Sequence, residues 1–409
     1  MIQDKHKKGL FMEFMTAKEA AKKWKITQRR VAVLCSGNRI EGAELMGKMW
    51  LIPKLAQKPE DGRVTRFEPP ADMPTKPFLK WAGGKSQILD CIRNKYPAGL
   101  GATITKYAEP FVGGGAVLFD VITQYKMKEI YISDINRELI QTYIVIRDSI
   151  DELAAFLKDL EAQYLSANDD VRKEIYYASR ERFNVLKSAS DASVEIAALF
   201  IFLNRTCFNG LYRVNSHGAF NVPQGSYKNP TICDDCNLFA VSEKLHGVKI
   251  VCADYKESRD FIDSNTFVYF DPPYRPLTAT ASFTSYAENG FGDKEQTELA
   301  AFIDEISQCG ASIVASNSDP KNTDERDDFF DRLYARHEII RIYANRAINS
   351  VGSSRGKVSE LLIANGYKKD KEDKNYLSHL PASQAGTVRH KGAKKSYDEG
   401  YREGQRRHK

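Results

Sequence analysis

The chain has 409 residues, room for two to three domains, with 42% hydrophobic and 28% charged residues, as in ordinary globular proteins. Sixty Lys and Arg against 54 Asp and Glu leave a net charge of +6, a mild bias compatible with a polyanionic partner. The longest apolar run, Ala197 to Leu203, is too short for a bilayer, the N-terminus lacks a signal-peptide pattern, and seven scattered cysteines suit a reducing compartment, so membrane, secreted and fibrous classes are set aside and a cytoplasmic protein is expected.

Residues 14–55 read as a small unit. Thr16-x-x-Glu19 is a capping-box pattern ahead of the helical stretch AKEAAKKW. Ile26 and Thr27 make a short turn, Thr27 caps a second helix running through Cys35, and Gly37 and Asn38 stop it. Ala43 to Pro53, with Gly47-Lys48 between two apolar arms, reads as a hairpin. Helix, turn, helix and hairpin predict a winged helix-turn-helix, which sets its second helix in the major groove of DNA. Arg29 and Arg30 stand early on that helix, where side chains reach bases and phosphates. The plainer alternative is a helical adaptor with a solvated basic face. Residues 56–76, rich in Pro and charge, read as a linker. From Pro77 to Tyr367 strand-like runs alternate with helical segments. Residues 368–409 turn basic and poor in apolar side chains, which predicts a disordered tail, solvated or weakly drawn to phosphates.

Within the long middle region, Phe78-Leu-Lys-Trp-Ala-Gly-Gly-Lys85-Ser86 ends like a phosphate-cradling P-loop, but Leu79 stands where that loop needs its first glycine. Lys85 and Trp81 offer instead a cation for a carboxylate and an aromatic wall, which an adenosine bearing a methionine-like tail would use. Glu109-Pro-Phe111-Val-Gly113-Gly-Gly115 lies between a strand-like Ile104 to Ala108 and a helix from Ala116 to about Tyr125. Glycines at a strand-to-helix turn let a ligand approach the backbone. A second short strand, Glu129 to Ser133, ends at Asp134, where an acid can bind a ribose hydroxyl. Leu118 stands in place of the third glycine of the dinucleotide fingerprint, so a nucleoside ligand is supported and NAD is not. Leu199, Phe202 and Leu203, at helical spacing, read as core. Cys233-Asp-Asp-Cys236 has metal-pair spacing without a second pair, and no metal is expected. Cys252-Ala-Asp254-Tyr255, after a strand over Val248 to Val251, would hold an adenine edge and face, or be an ordinary strand-end turn.

Asp271-Pro272-Pro273-Tyr274 follows Thr266 to Phe270, an apolar run that predicts a buried parallel strand. It therefore falls at a strand's carboxyl end, where open α/β sheets bind ligands. The Asp accepts from an amino group, the Pro-Pro step presents carbonyls on a stiff turn, and the Tyr stacks on a flat ring. Together they predict a clamp for an exocyclic amine; two acceptors favour its nucleophilic form and spread the charge that develops as it attacks. The bland alternative is a strand followed by a proline turn.

In their order, KWAGGK, EPFVGGG, SDIN, FLNRTCFNGLYRVNSHGAFNVPQGSYK, FDPPYRPLTATASFTSY and SNSD resemble the Dam-type, alpha-class branch of the DNA adenine-N6 methyltransferases, from about Lys76 to Asn365. KEAAKKWKITQRRV and WLIPK resemble excisionase-like and MerR-like DNA-binding domains. The first resemblance implies an α/β fold whose doubly wound, mostly parallel sheet binds S-adenosylmethionine, formed by residues 77–136 and 231–367. Residues 137–230 would be an inserted helical and hairpin target-recognition domain.

By the same resemblance, Trp81 and Lys85 would line the methionine end of the cofactor and Phe111 with Gly113 to Gly115 its turn. Asp134 would bind the ribose, Asp254 or Tyr255 the adenine. Asp271, beside the cofactor, would join Pro272, Pro273 and Tyr274 around a flipped target adenine. Phe208 (often Tyr in the family) would wedge between bases from a hairpin that also carries Leu211 and Pro223 toward a thymine methyl. Arg213 would read a guanine bidentately. Lys80 would meet a guanine at the other end of the site, and Tyr227 joins this DNA-contacting set, which is the one associated with GATC. Ser226 departs from the basic residue common at its position.

The implied reaction is methyl transfer to N6 of adenine in double-stranded DNA, the base leaving the stack first. Double-stranded DNA is the expected partner; a cognate restriction endonuclease is compatible, and no obligate protein partner is evident. A second reading makes the chain a DNA-binding regulator with a vestigial methyltransferase core. Intact Asp271, Tyr274, Lys85 and Asp134 weigh against it. A third, an RNA methyltransferase, is opposed by the duplex-reading hairpin around Arg213.

Overall fold

The computed structural model describes residues 14–59 apart from 25, 38 and 48, residue 70, and 73–275 apart from 190 and 191, together with 291–345 and 357–365. The expected tail over 368–409, most of the linker, and the part of FDPPYRPLTATASFTSY beyond Arg275 lie outside the described residues. The described residues fall into two compact units, divided between residues 67 and 68.

The first unit runs β1 (Phe14–Thr16), α1 (Ala17–Trp24), α2 (Gln28–Ser36), β2 (Glu44–Met46) and β3 (Met49–Pro53). The capping box forms: Thr16 N donates to Glu19 Oε2 at 2.8 Å and Glu19 N to Thr16 Oγ1 at 3.3 Å. Thr27 caps α2 by accepting from Arg30 N at 3.1 Å. α1 turns Ala17, Ala20, Ala21 and Trp24 inward, onto Val31, Leu34, Ile40 and Ile52. β2 and β3 make the expected hairpin, and β1 extends it, antiparallel to β3. Of the added strand, Thr16 carries the capping box and Met15 is buried in the core; its strand form comes from pairing with β3.

The second unit is built on β4 (Lys106–Glu109), β5 (Glu129–Asp134), β6 (Lys249–Cys252), β7 (Thr266–Phe270), β8 (Ser312–Ser318), β9 (Glu338–Asn345) and β10 (Lys357–Ala364). They form one seven-stranded sheet in the order β6-β5-β4-β7-β8-β10-β9. The first five are parallel, and β10 runs antiparallel to both neighbours. All five residues of β7 are buried. They alternate between two apolar layers: Phe267 and Tyr269 pack with the first, Val268 and Phe270 with the second. That is the pattern of a strand covered on both faces.

The first layer holds α4 (Ala116–Gln124), α5 (Arg137–Asp148) and α9 (Asp235–Leu245), the second α10 (Asp293–Gln308) and α11 (Phe329–Leu333). Before β4 comes the short α3 (Leu89–Arg93). Between α5 and α9 the chain adds α6 (Ile150–Ser166), α7 (Asp169–Ser188) and α8 (Val194–Thr206), which pack on one another, then the loop that carries Phe208 to Pro223. No helix among the described residues is long and apolar enough to cross a membrane.

Topology fixes where a ligand can sit. From β4 the chain winds outward to β5 and β6; it then returns to place β7 on the other side of β4. β4 and β7 therefore flank the point where the winding reverses, and the crevice lies outside their carboxyl ends. The Gly113–Gly115 turn leaves β4 and Asp271 leaves β7 at that point.

Candidate active site

Asp271 is the first residue past β7. Its Oδ1 takes two donors, Lys85 Nζ at 2.7 Å and Ser316 Oγ at 2.9 Å. Among the described residues no donor meets Oδ2, which leaves one carboxylate oxygen for an incoming amine. Lys85 is 3% exposed, and its ammonium is compensated from three sides: Asp271, the Gly83 carbonyl at 2.6 Å, and the Tyr274 ring, whose centroid is 4.9 Å away. The sequence suggested a cation awaiting a ligand's carboxylate; the structure turns this one toward Asp271.

Tyr274 is anchored at its far end, its hydroxyl donating to Glu360 Oε2 on β10 at 2.9 Å. Burial, with the carboxylates of Asp271 and Glu360 nearby, pushes its phenol well above the ordinary range, so it stays a neutral donor. The Pro273 carbonyl accepts from Gln296 Nε2 on α10 at 3.0 Å. Behind the site the last residue of β4, Glu109, is 2% exposed and accepts from Tyr107 Oη at 2.6 Å. Burial pushes its carboxyl well above the usual range against that bond.

The turn after β4 is drawn tight. Gly113 and Gly115 have φ of 46° and 72°. A Cβ at Gly113 would stand 2.8 Å from Trp81 Cδ1, and one at Gly115 would stand 2.5 Å from Tyr143 Oη. Gly113 N donates to Asp134 Oδ2 and Tyr143 Oη to the Gly113 carbonyl, both at 3.1 Å. Asp134, ending β5, also accepts from Asn136 N at 2.8 Å; burial raises its carboxyl, and these backbone donors oppose the rise. Trp81 stacks on Tyr212 with centroids 5.8 Å apart. Trp81, Lys85, the glycines, Asp134 and Asp271 to Tyr274 thus converge on the carboxyl ends of β4, β5 and β7.

Phe111 is half-buried and stacks on Tyr255, with centroids 5.4 Å apart. Tyr255 is only 3% exposed, packed also against Phe302 with centroids 5.3 Å apart. Asp254 is exposed and caps the following turn by accepting from Lys256 N at 3.0 Å.

The loop after α8 closes into a short hairpin, with Cys207 opposite Gln224 and Val214 opposite Phe220. Phe208 is 52% exposed at its start; Arg213 and Pro223 are exposed, and Leu211 and Tyr227 half-buried. Arg213 Nε donates to Asn221 Oδ1 at 2.9 Å, which aims the guanidinium and keeps its terminal nitrogens for another partner. Lys80 is stitched to this hairpin by the buried Asn204, which accepts from Lys80 N and donates to the carbonyls of Lys80 and Gly210. Its ammonium lies 4.3 Å over the Tyr227 ring. Arg29 is exposed and Arg30 half-buried in the first turn of α2, in the other unit.

Gln296 and Glu360 escape the sequence reading and reach in from separate elements. Ser316, Asn204 and Asn221 stand inside the motifs SNSD and FLNRTCFNGLYRVNSHGAFNVPQGSYK, which give them no individual contact.

The chain matches the D12 class N6 adenine-specific DNA methyltransferase family over residues 81–348. It is 48% identical over 295 residues to a "Type II methyltransferase M.MjaIII" of Methanocaldococcus jannaschii, covering 72% of this chain and 100% of that protein. It is 35% identical over 292 residues to "Type II methyltransferase M1.LlaDCHI" of Lactococcus lactis subsp. cremoris, covering 71% and 95%. To the "DNA adenine methylase" of Escherichia coli K12 it is 35% identical over 285 residues, covering 70% and 93%.

Proposed function

This chain belongs to the D12 class of N6 adenine-specific DNA methyltransferases, and from that premise we propose that it methylates the adenine of GATC in double-stranded DNA, with S-adenosylmethionine as donor and the target base flipped from the stack. The observation that carries the reading is the asymmetry of Asp271. Lys85 and Ser316 occupy Oδ1, so Oδ2 and the Pro272 carbonyl remain to accept the two protons of one amine. Paired acceptors turn the nitrogen lone pair outward and offset positive charge as the nitrogen becomes four-bonded. Tyr274, tied to Glu360, offers a fixed ring face for the purine. The extra proton of the methylated amine leaves toward Asp271.

The crevice suits the donor. The glycine turn, too close to Trp81 and Tyr143 for any side chain, brings backbone to the ligand, with Trp81 and Phe111 as apolar walls and Asp134 as acceptor for ribose hydroxyls. When bound, S-adenosylmethionine supplies an electrophilic methyl group. Lys85 then serves chiefly to orient Asp271, and Asp254 stands at the rim beside the adenine.

For the site on DNA we assign Arg213 to a guanine, Leu211 and Pro223 to a thymine methyl, Phe208 to the gap left by the flipped base, and Lys80 with Tyr227 to the opposite end. We assign residues 137–230, which carry α5 to α8 and the hairpin, to target recognition, and residues 14–55 to a winged helix whose Arg29 and Arg30 face DNA. The test is transfer of labelled methyl to a set of duplexes that differ from GATC at one base pair. Only the GATC duplex should be methylated efficiently; equal transfer to the single-pair variants would defeat the assignment.

A further inference from the structure

The Asp-Pro-Pro-Tyr turn has no scaffold of its own. Two successive prolines carry no N–H, so the turn cannot be fixed by a backbone ladder. It is held from outside, by several elements: Asp271 by Lys85 and Ser316, Tyr274 by Glu360, and the following Arg275 by Asp293 and Asp327 at 2.5 and 2.6 Å. The Pro-Pro step has a single tie among the described residues, the bond from Gln296 Nε2 to the Pro273 carbonyl.

Gln296 is 0% exposed and shares α10 with Leu299, Ala300 and Ile303, which are buried in the apolar layer. An amide there is costly unless both ends are bonded. Both are: Asn317 Nδ2 donates to Gln296 Oε1 at 3.0 Å, and Ser318 N donates to Asn317 Oδ1 at 2.9 Å. The direction of this relay is fixed by its ends. The Pro273 carbonyl can only accept and the Ser318 N–H can only donate, so neither amide can flip without breaking a bond. Asn317 and Ser316 are neighbours on β8, so one strand supports the turn on two sides, through Asp271 and through Gln296.

We propose that Gln296, oriented by Asn317, is a positioning residue for methyl transfer: by holding the Pro273 carbonyl it sets the direction in which the neighbouring Pro272 carbonyl faces the target amine. This rests on the reaction proposed above. An apolar residue of the same size would fill the space equally well, but it would leave the Pro-Pro step free to rotate its carbonyls away. Misdirection of a reacting group by a fraction of an ångström is felt in the chemical step rather than in binding.

The test uses the full-length protein, with single-turnover methyl transfer, cofactor and duplex Kd, and thermal melting measured side by side. Gln296→Leu should slow single-turnover transfer by about 10- to 100-fold, with both Kd values within a few-fold of wild type. Gln296→Glu keeps the acceptor for Asn317 but loses the donor while ionised. Its rate relative to wild type should therefore climb as pH falls and the carboxyl gains a proton to give to Pro273. A wild-type rate in Gln296→Leu, a loss shared equally by binding, or a pH-independent deficit in Gln296→Glu would each overturn the role. Rates are compared as variant to wild type on whichever duplex the wild type methylates, so failure of the GATC assignment is read separately.

Discussion

Asp271 sits in two roles that substitution can separate. In the proposed mechanism it accepts from the target amine; in the structure it also neutralises Lys85, whose side chain is 4% exposed. Asp271→Ala removes both, so methyl transfer should vanish, and the stranded ammonium should lower stability by about 2–3 kcal/mol, short of a fully buried pair because Asp271 is itself partly exposed. Removing the stranded charge as well, in Lys85→Met/Asp271→Ala, should restore much of the melting temperature and none of the activity. If the double variant melted no higher than Asp271→Ala, Lys85 would not depend on Asp271 for compensation. On the DNA side, Arg213→Ala should cost about 1–3 kcal/mol at one G·C pair and relax discrimination there. Asn221→Ala frees the guanidinium without deleting it, so it should weaken the same base preference by less. Competition binding with duplexes changed at that pair reads both; uniform weakening on all duplexes would make Arg213 a phosphate contact.

At the scale of elements, the contact between Lys80 and the hairpin after α8 is set by backbone shape. Gly210 has φ of 65°, and a Cβ there would run into the Lys80 side chain, 2.7 Å from its Cβ. Gly210→Ala should cost about 1–2 kcal/mol for the left-handed backbone and displace Lys80. Duplex affinity should fall and discrimination at Lys80's end of the site should loosen, by more than any change in cofactor affinity. Unchanged duplex binding would remove Lys80 from the interface. Elements like this differ in how far sequence announces them. β7 is legible because a strand buried on both faces is a continuous apolar run, and α1 and α2 because their caps are local patterns. The strand expected over Ile104 to Ala108 starts instead at Lys106 and runs to Glu109; Ile104 only bridges Leu100. Glu109, a charged residue at full burial, breaks the apolar pattern that would have included it. β1 is invisible because three residues owe their form to β3. The site divides the same way. Motif residues lie together along the chain, but the groups that aim them, Gln296, Ser316 and Glu360, come from α10, β8 and β10, and no local spacing links them to Asp271.

The whole molecule joins a catalytic unit to a smaller one whose core closes on itself, with Met15, Trp24, Val31, Leu34, Ile40 and Ile52 packed together. Residues 81–348 carry the family match, and the Methanocaldococcus jannaschii relative is matched over its entire length by 72% of this chain, so a polypeptide of that size suffices for the shared region. Deleting residues 1–67 should therefore leave a folded methyltransferase, since every residue assigned here to cofactor and target adenine lies beyond that boundary. If residues 14–55 act as a winged helix, the loss appears in DNA affinity. A second binding module on a short tether raises the local concentration of the first whenever both can engage one DNA. Each phosphate contact it adds steepens the logarithmic salt dependence by about 0.9. Full-length protein should bind long DNA more tightly, and with a steeper salt slope, than the truncation. On a duplex just long enough for GATC the two should bind and methylate alike, because only one module has room. Equal salt slopes on long DNA would remove the N-terminal unit from DNA binding, and a truncation inactive on the short duplex would make that unit part of the catalytic architecture.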